Sequence, residues 1–487
     1  MTRYIIYFAI AVGTVSCGKK FLEVVPQGSL VATTTRDYDK LMNDPAFYFS
    51  YGGGGLAEAQ LMGDEVDAEA DLFKTNGVTR PLYFTWSDTV YQHITQLPTM
   101  LRGELGQRYE LNKIINEVMS STEGATAQKS ALRGEALATR AWSNFQLASY
   151  YCKPYNAGTA ARDPGFPIIT TADVNIAAFA RGTVQQTYDS IIRDFSDAIP
   201  TLPLRQPSQT RMSKPAAEGL LGKVYLFMGR PQDALPLLND ALSVVTSTGA
   251  ATLYDYNQTF GPGGSFLPIN GFSGPQSPGQ DFNNTKEAVL SKVFGSGSYS
   301  GNITGNNGLV LTANTAALYG PNDFRLLFYT SNKPNGSPNT AGRLRKYGVQ
   351  YSRWGLQLPE LYLLSAECKA RLGDLTGAKT DVESLRLKRM PAADATVPPA
   401  IANDQTALIR FIIDERTREF AGEGYRWNDM RRLSLDPLYS GITFTHTMFD
   451  YSGAGTGTVY TLRAPDRLVL RLPPYIVDTD PGFVQNP

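Results

Sequence analysis

The residues with the most capacity for chemistry in this chain are its carboxylates, and their densest run is GDEVDAEAD, with Asp64, Glu65, Asp67, Glu69 and Asp71. Carboxylates alternating at 67, 69 and 71 resemble the start of a calcium loop, because a hard cation needs several oxygens from one short segment. Leu72 stands where such a loop needs its turn glycine, and Val78 where it needs a bidentate Glu. Calcium is therefore possible there without being expected, and the reading is a solvated acidic loop. Two of these carboxylates at the right separation would also serve a glycosidase, but only the fold sets that separation. A second charged run, DERTREFAGEGYRWNDMRRL, puts Asp414, Glu415, Arg416, Arg418, Glu419, Glu423, Arg426, Asp429 and Arg431 on one predicted helix and its turn. Asp414 and Arg418 form a favourable i,i+4 pair, and Gly422 and Gly424 allow a bend. Such density of both signs fastens helices together and rarely does catalysis.

Other reactive types are scarce. The two histidines, His93 and His446, have no second His or Cys at metal-ligand spacing, so no metal site is expected. The chain has neither a G-x-S-x-G elbow nor a glycine-rich phosphate loop ending in lysine and a hydroxyl. No catalytic residue and no cofactor follow, and the chain reads as a protein that is not an enzyme. Lys plus Arg and Asp plus Glu balance at 45 each, so no net field attracts nucleic acid.

Cys17 ends MTRYIIYFAIAVGTVSC, where Arg3 precedes an apolar run from Tyr4 to Ser16 that is too short to span a bilayer. The small residues Thr14, Val15 and Ser16 before it resemble a lipobox. This layout predicts a signal peptide over 1–16, lipidation of Cys17 and a tether over 17–30. Cys152 and Cys368 allow at most one bridge; far apart and in helical contexts, they read as buried small hydrophobes.

Aromatic residues make up 11% of the chain, and many fall in irregular segments: Phe73, Tyr83, Phe84, Trp86, Tyr254, Tyr256, Phe260, Phe266, Phe272, Tyr299 and Tyr319. An exposed ring offers a flat apolar face to a sugar or an apolar side chain, with neighbouring Asn, Asp and Arg to hydrogen-bond. Rings under long loops more often plug the core.

Helices must position these groups. Helical patterns recur near 100–119, 128–151, 183–199, 214–246, 357–390 and 404–433, after a first helix near 37–43 capped from Thr33 to Thr35. In LLGKVYLFMGRPQDALPLLNDAL, Leu221, Gly222, Tyr225, Gly229, Ala234, Leu238 and Ala241 fall at tetratricopeptide-repeat offsets. Tyr362, Ala366, Gly373, Ala378, Val382 and Leu385 keep the same register. A third unit is split: helix 132–150 would pair with helix 183–199 across an insertion from Tyr151 to Gly182. Stacked hairpins bury each other's apolar faces and leave a curved surface for docking. The resulting division is a helical-repeat region with inserted loops over 31–250, an irregular Gly/Pro/Asn-rich region over 251–345, and a C-terminal region over 346–487 with a further repeat and an irregular tail.

Five segments, SCGKKFLEVVPQG, LRGEALATRAWSNFQLASYYCKPY, LPELYLLSAECKARLGD, IIDERTREFAGEGYRWNDMRRL and RLPPYIVDTDPGFVQNP, recur in an order and spacing that resemble the SusD/RagB family of outer-membrane lipoproteins from Bacteroidota. The resemblance covers nearly the whole chain. It implies a mainly α fold, a tetratricopeptide-like scaffold of about four helical hairpins carrying a loop-rich, irregular ligand-binding region. It implies a SusC-like, TonB-dependent outer-membrane barrel as partner, with this chain as a lipid-anchored lid facing the cell exterior. A nutrient glycan, or alternatively a peptide, would be captured and passed inward without bond cleavage. In relatives the loop before Trp86 and the loop around Tyr299 often carry ligand-contacting aromatics, so Phe73, Tyr83, Trp86, Tyr299, Asn302 and Tyr319 are the expected ligand contacts.

Overall fold

The computed structural model describes residues 32–49, 56–73, 79–173, 175, 179–276, 279, 281, 283–294, 308–333, 335–348, 351–450, 456–479 and 482–487. The predicted signal peptide, Cys17 with its tether, Tyr299 and Asn302 lie outside them. Nine helices of eight residues or more occur among the described residues: α1 Thr99–Glu117, α2 Thr126–Tyr151, α3 Val184–Ala198, α4 Lys214–Phe227, α5 Pro231–Thr248, α6 Leu358–Arg371, α7 Leu375–Arg386, α8 Gln405–Phe420 and α9 Arg426–Leu433. None is long and apolar enough to cross a membrane. The short first helix, Thr35–Leu41, starts at a capping box in which Thr34 and Asp37 satisfy each other's backbone N–H groups.

The repeat register is visible in the packing. α4 pairs with α5 and α6 with α7, each pair turning at a glycine with positive φ, Gly229 at 74° and Gly373 at 86°. Within the first pair, a Cβ on Gly222 would stand 2.7 Å from Leu238 Cγ, so the helices cross at a distance only glycine permits. The split unit is also present: α2 packs along α3 across the long insertion. Arg140 of α2 grips Asp194 of α3 with two 2.8 Å hydrogen bonds, a bidentate pair buried on both sides. Arg181, at the end of the insertion, donates to Gly165 O at 2.7 Å and to Asn486 Oδ1 at 2.9 Å, tying the insertion to the chain's last residues. The hairpins then stack, α3 on α4 and α5 on α6, with α1 along α2 at one end and α8 along α6 at the other.

The charged C-terminal run is two helices, since α8 ends at Phe420 and Gly422 and Gly424 take φ of 72° and 85° before α9 begins. Its ions fasten the scaffold from inside. Glu360 of α6 holds Lys223 of α4 at 2.8 Å and Arg416 of α8 at 2.7 Å; Arg416 also holds Asp429 of α9 at 2.8 Å. Arg432 of α9 bridges Asp429 and Glu367 at 2.9 and 2.6 Å. One expected pair differs. Arg418 reaches Glu415 at 2.8 Å, not Asp414, because Glu415 faces inward, where Arg325 and Arg386 also converge on it. Cys152 and Cys368 are both buried and free, and burial pushes the Cys152 thiol up to about 12.

Short strands hold the irregular region against this scaffold. β1 Val66–Glu69 lies between β3 Leu309–Leu311, antiparallel, and β7 Thr445–Phe449, parallel; β8 Gly457–Thr461 continues the sheet in the order β3-β1-β7-β8. β2 Ala288–Phe294 pairs antiparallel with β6 Ser352–Gln357, which runs directly into α6. β4 Tyr329–Thr330 and β5 Arg345–Lys346 form a short antiparallel ladder.

Candidate functional site

A cleft opens where the chain after α5, the β4–β5 ladder and the end of α8 meet, with about 1060 Å³ of empty space including its mouth. One wall is the Tyr254–Tyr256 segment. Tyr254 N donates to Glu287 Oε1 at 2.7 Å and Tyr256 N to Lys388 O at 2.8 Å, and Lys388 also pairs with Asp255 at 2.9 Å. These bonds fix the segment that leads into the one-turn helix Tyr256–Thr259, which Asp255 caps. The opposite wall is Lys346, which pairs with Glu423 and lies 5.4 Å over the Tyr329 ring, while Tyr329 Oη donates to Ala421 O at 3.0 Å. Phe328, Tyr351 and Phe420 add rings; Asn284, Thr285 and Gln357 add neutral hydrogen-bonding groups.

Two carboxylates in the cleft, Glu287 and Glu419, invite comparison with an acid–base pair. Burial lifts the Glu287 carboxyl above the usual range despite Arg389; burial acts the same way on Glu419, but Arg389 and Arg325 overcome it and hold that group below the range. Their geometry is that of counter-ions. Both place Oε1 on the same Nη2 of the fully buried Arg389, at 2.9 and 2.8 Å, so the space between them is filled by a guanidinium that needs both. A substrate oxygen has no place there. What the cleft offers is flat apolar rings beside fixed donors and acceptors of both signs, which is a recognition surface.

The rings singled out from the sequence are placed elsewhere. Tyr83, Trp86 and Tyr319 are 5%, 6% and 8% exposed. Tyr83, Tyr91 and Tyr151 share a chain of hydroxyl contacts at 2.9 and 3.0 Å. Trp86 stacks on His446 at 3.9 Å and donates to Met62 O at 3.0 Å; Tyr319 donates to Arg418 O at 2.7 Å. Phe73 is half-buried against Phe84 at 5.5 Å. At these four positions the core takes up the faces and polar tips of Tyr83, Trp86 and Tyr319 and part of the Phe73 ring; Tyr83 and Trp86 line one small notch, which neither Phe73 nor Tyr319 shares. Tyr254 and Tyr256 belonged to the aromatic set of the irregular segments, whereas Tyr351, Lys346 and Gln357 had no local signal at all.

The acidic run is not a loop of converging ligands either. Asp64 pairs with Arg426 at 2.6 Å, Glu65 accepts from Gly422 N at 3.3 Å, Asp67 from Thr447 N at 2.7 Å, and Glu69 holds Arg343 at 2.7 Å. These side chains go to four different partners, and no group of three or more His, Cys, Asp or Glu that could hold a metal occurs among the described residues. His446 lies between the Phe84 and Trp86 rings with Nδ1 2.7 Å from Phe84 O and Nε2 2.6 Å from Gly63 O. Burial lowers its proton affinity to about 4.

Comparison with known proteins adds independent findings. Residues 21–226 match the family model SusD-like_3, described as starch-binding associating with outer membrane, and residues 291–487 match the model of the SusD family. No curated protein sequence matches. A SusD superfamily protein from Bacteroides thetaiotaomicron superposes with a TM-score of 0.71 at 20% identity, covering 93% of this chain and 100% of its own. A SusD-like carbohydrate binding protein from Bacteroides vulgatus gives 0.65 at 16%, covering 93% and 97%. A laminarin binding SusD-like protein gives 0.63 at 15%, covering 94% and 99%. At these identities the superpositions establish a shared fold.

Proposed function

The chain belongs to the SusD family, and from that premise we propose that it is a non-catalytic capture protein, anchored through Cys17 at the outer membrane and facing outward. It takes up a nutrient glycan and delivers it to a SusC-like, TonB-dependent barrel. The observation that carries the reading is the cleft itself, whose lining combines Tyr256, Phe328 and Tyr351 with Asn284, Thr285 and Gln357. Sugar rings present apolar C–H faces ringed by hydroxyls, and a lining of flat rings together with hydrogen-bonding side chains answers both. The carbohydrate- and laminarin-binding descriptions of its structural neighbours support the same ligand class.

Calorimetry of the purified protein against a panel of neutral oligosaccharides tests this. Tyr256→Ala and Tyr351→Ala should each weaken the best ligand about tenfold or more, a loss near 1.4 kcal/mol, with circular dichroism unchanged and no new reducing ends formed. Unaltered affinity in both variants would refute the placement of the site. Peptide capture by the same cleft is the second reading, favoured by Lys346, Glu423 and Arg418 in the lining; tight binding of peptide pools with none of saccharides selects it. Co-purification with a barrel encoded beside this chain tests the partner.

A further inference from the structure

Several polar side chains of the cleft are oriented from behind, so the atoms they leave for a ligand are fixed. Gln357 lines the cleft at 8% exposure, and its amide nitrogen donates to Trp354 O at 3.0 Å. A backbone carbonyl only accepts, so this bond decides which end of the amide is nitrogen and leaves Oε1 without a partner among the described residues. Ala288 stands opposite Gln357 in the β2–β6 ladder and also lines the cleft, so the side chain facing it across the strands is a single methyl. Gln60 repeats the arrangement. Its nitrogen donates to Gly422 O at 3.1 Å, and its buried Oε1 accepts from no described residue. Glu423, next in the chain, gives Oε1 to Lys346 and keeps Oε2.

Donors are fewer. The cations of the lining are already engaged: Arg325 by Asp323 and Glu419, Arg418 by Glu415, and Lys346 by Glu423 and Ala421 O. Thr285 gives its hydroxyl proton to Gln209 Oε1. Asn284 is the exception, since its Oδ1 takes the Tyr254 hydroxyl and its amide nitrogen is left over. The lining thus offers carbonyl or carboxylate oxygens from Gln60, Gln357 and Glu423 against one amide nitrogen from Asn284.

We propose that the saccharide residue held in this cleft carries an unsubstituted amino group, which donates to the free oxygens of Gln357 and Glu423. An ammonium brings three N–H donors and no acceptor; a hydroxyl brings one donor together with lone pairs, and an acetamide adds a carbonyl that would meet the same oxygens. Hydrogen bonds to a charged group are also about twice as strong as neutral ones. A hydroxyl of the same sugar answers Asn284. That the ligand is a saccharide rests on the glycan-capture reading, whereas the amino group follows from the surplus of acceptors.

Three trisaccharides with one β-1,4-linked backbone, differing only at C2, test this by calorimetry with the purified full-length protein: triglucosamine with an amine, cellotriose with a hydroxyl, and N-acetylated triglucosamine with an acetamide. Triglucosamine should bind about tenfold or more tighter than cellotriose, and the N-acetylated form more weakly than either. Gln357→Met removes one acceptor, and Glu423→Gln, with Lys346 holding its oxygen, turns the other into a donor. Each should lower triglucosamine affinity about tenfold while changing that of cellotriose by less than about threefold. A damaged fold would lower both together, so the ratio of the two affinities is the readout. Equal binding of triglucosamine and cellotriose, both lost in Tyr256→Ala, overturns the amino group and leaves the glycan cleft standing. Failure of triglucosamine to bind, or an unchanged ratio in both variants, also overturns it. Trilysine binding more tightly than triglucosamine assigns the same oxygens to a peptide ammonium and overturns the saccharide.

Discussion

Replacing Glu360 by Gln probes how the scaffold is held. Glu360 is fully buried, and its Oε1 is the one carboxylate oxygen shared by Lys223 of α4 and Arg416 of α8, at 2.8 and 2.7 Å. Both cations are 2% exposed. Without the carboxylate, Arg416 keeps Asp429 at 2.8 Å, while Lys223 keeps only the Phe227 and Tyr425 rings, 5.6 and 5.5 Å away. Breaking a buried pair from one side costs about 3–5 kcal/mol, because the other charge stays desolvated. Lys223 has a way to limit the loss. Burial already lowers its proton affinity, Glu360 being the main opposing influence, so in the variant it sheds its proton and the cost falls toward about 3 kcal/mol.

With an unfolding entropy near 2.1 cal/mol/K per residue, a chain this long has about 1 kcal/mol/K in total, so the expected fall in Tm is only about 3 °C. Urea unfolding followed by circular dichroism and tryptophan fluorescence is the better assay. The sign of the pH effect is a second check. A lysine whose folded pKa lies below its unfolded value takes up protons on unfolding, so stability rises with pH and the deficit should shrink between pH ~7 and ~10. Adding Lys223→Met should recover about 2 kcal/mol, since an apolar pair of similar volume carries no stranded charge. Glu360→Gln within about 1 kcal/mol of the parent, or a double variant no more stable than the single one, would refute the reasoning.

Two glycines should respond oppositely to alanine: Gly106 in α1 has nothing within 4 Å of a new Cβ and should gain about 0.5–1 kcal/mol, whereas Gly222 meets Leu238 at 2.7 Å and should show a net loss of about 1–2 kcal/mol by urea titration. Trp86→Ala should act as a core deletion, costing about 3–5 kcal/mol, and should leave glycan affinity at the cleft unchanged in whatever fraction remains folded. Burial raises Glu65 and Glu104 to about 7, so the folded protein binds their protons more tightly than the unfolded chain; their stabilising contribution is full below pH ~4.5 and is lost as pH climbs through about 7. Glu415 and Asp429, where burial is outweighed by neighbouring arginines, are held down to about 2; their contribution is full above pH ~4.5 and is lost as pH falls toward 2. Urea unfolding across the pH range should therefore show greatest stability between these limits, and a maximum above pH ~8 would contradict it.

The helical scaffold was legible because its signal is local. Gly222, Gly229, Ala234 and Leu238 specify a hairpin through spacing along one stretch of chain, and the split unit could be read because α2 and α3 each keep their half of the pattern whatever lies between them. Capping at Thr34 and the density of mutually satisfying ions around α8 and α9 were legible for the same reason. The partners of those ions were not: Arg418 chooses Glu415 over Asp414, and Glu360 meets Lys223, because inward-facing charges with nowhere to hydrate must pair across elements distant in sequence.

Which aromatic rings face a ligand was likewise decided only by the tertiary structure. Tyr83 lies at the end of a short helix and Trp86 in the turn after it, yet strand β7 brings His446 against the Trp86 ring and Tyr91 takes up the Tyr83 ring and hydroxyl. Tyr256 and Tyr351, almost a hundred residues apart, line one cleft because β2 pairs with β6 and because Asp255 is pinned to Lys388. The sequence determined the helices and how they stack; exposure and convergence, which make a binding site, depend on what else occupies the space around each ring.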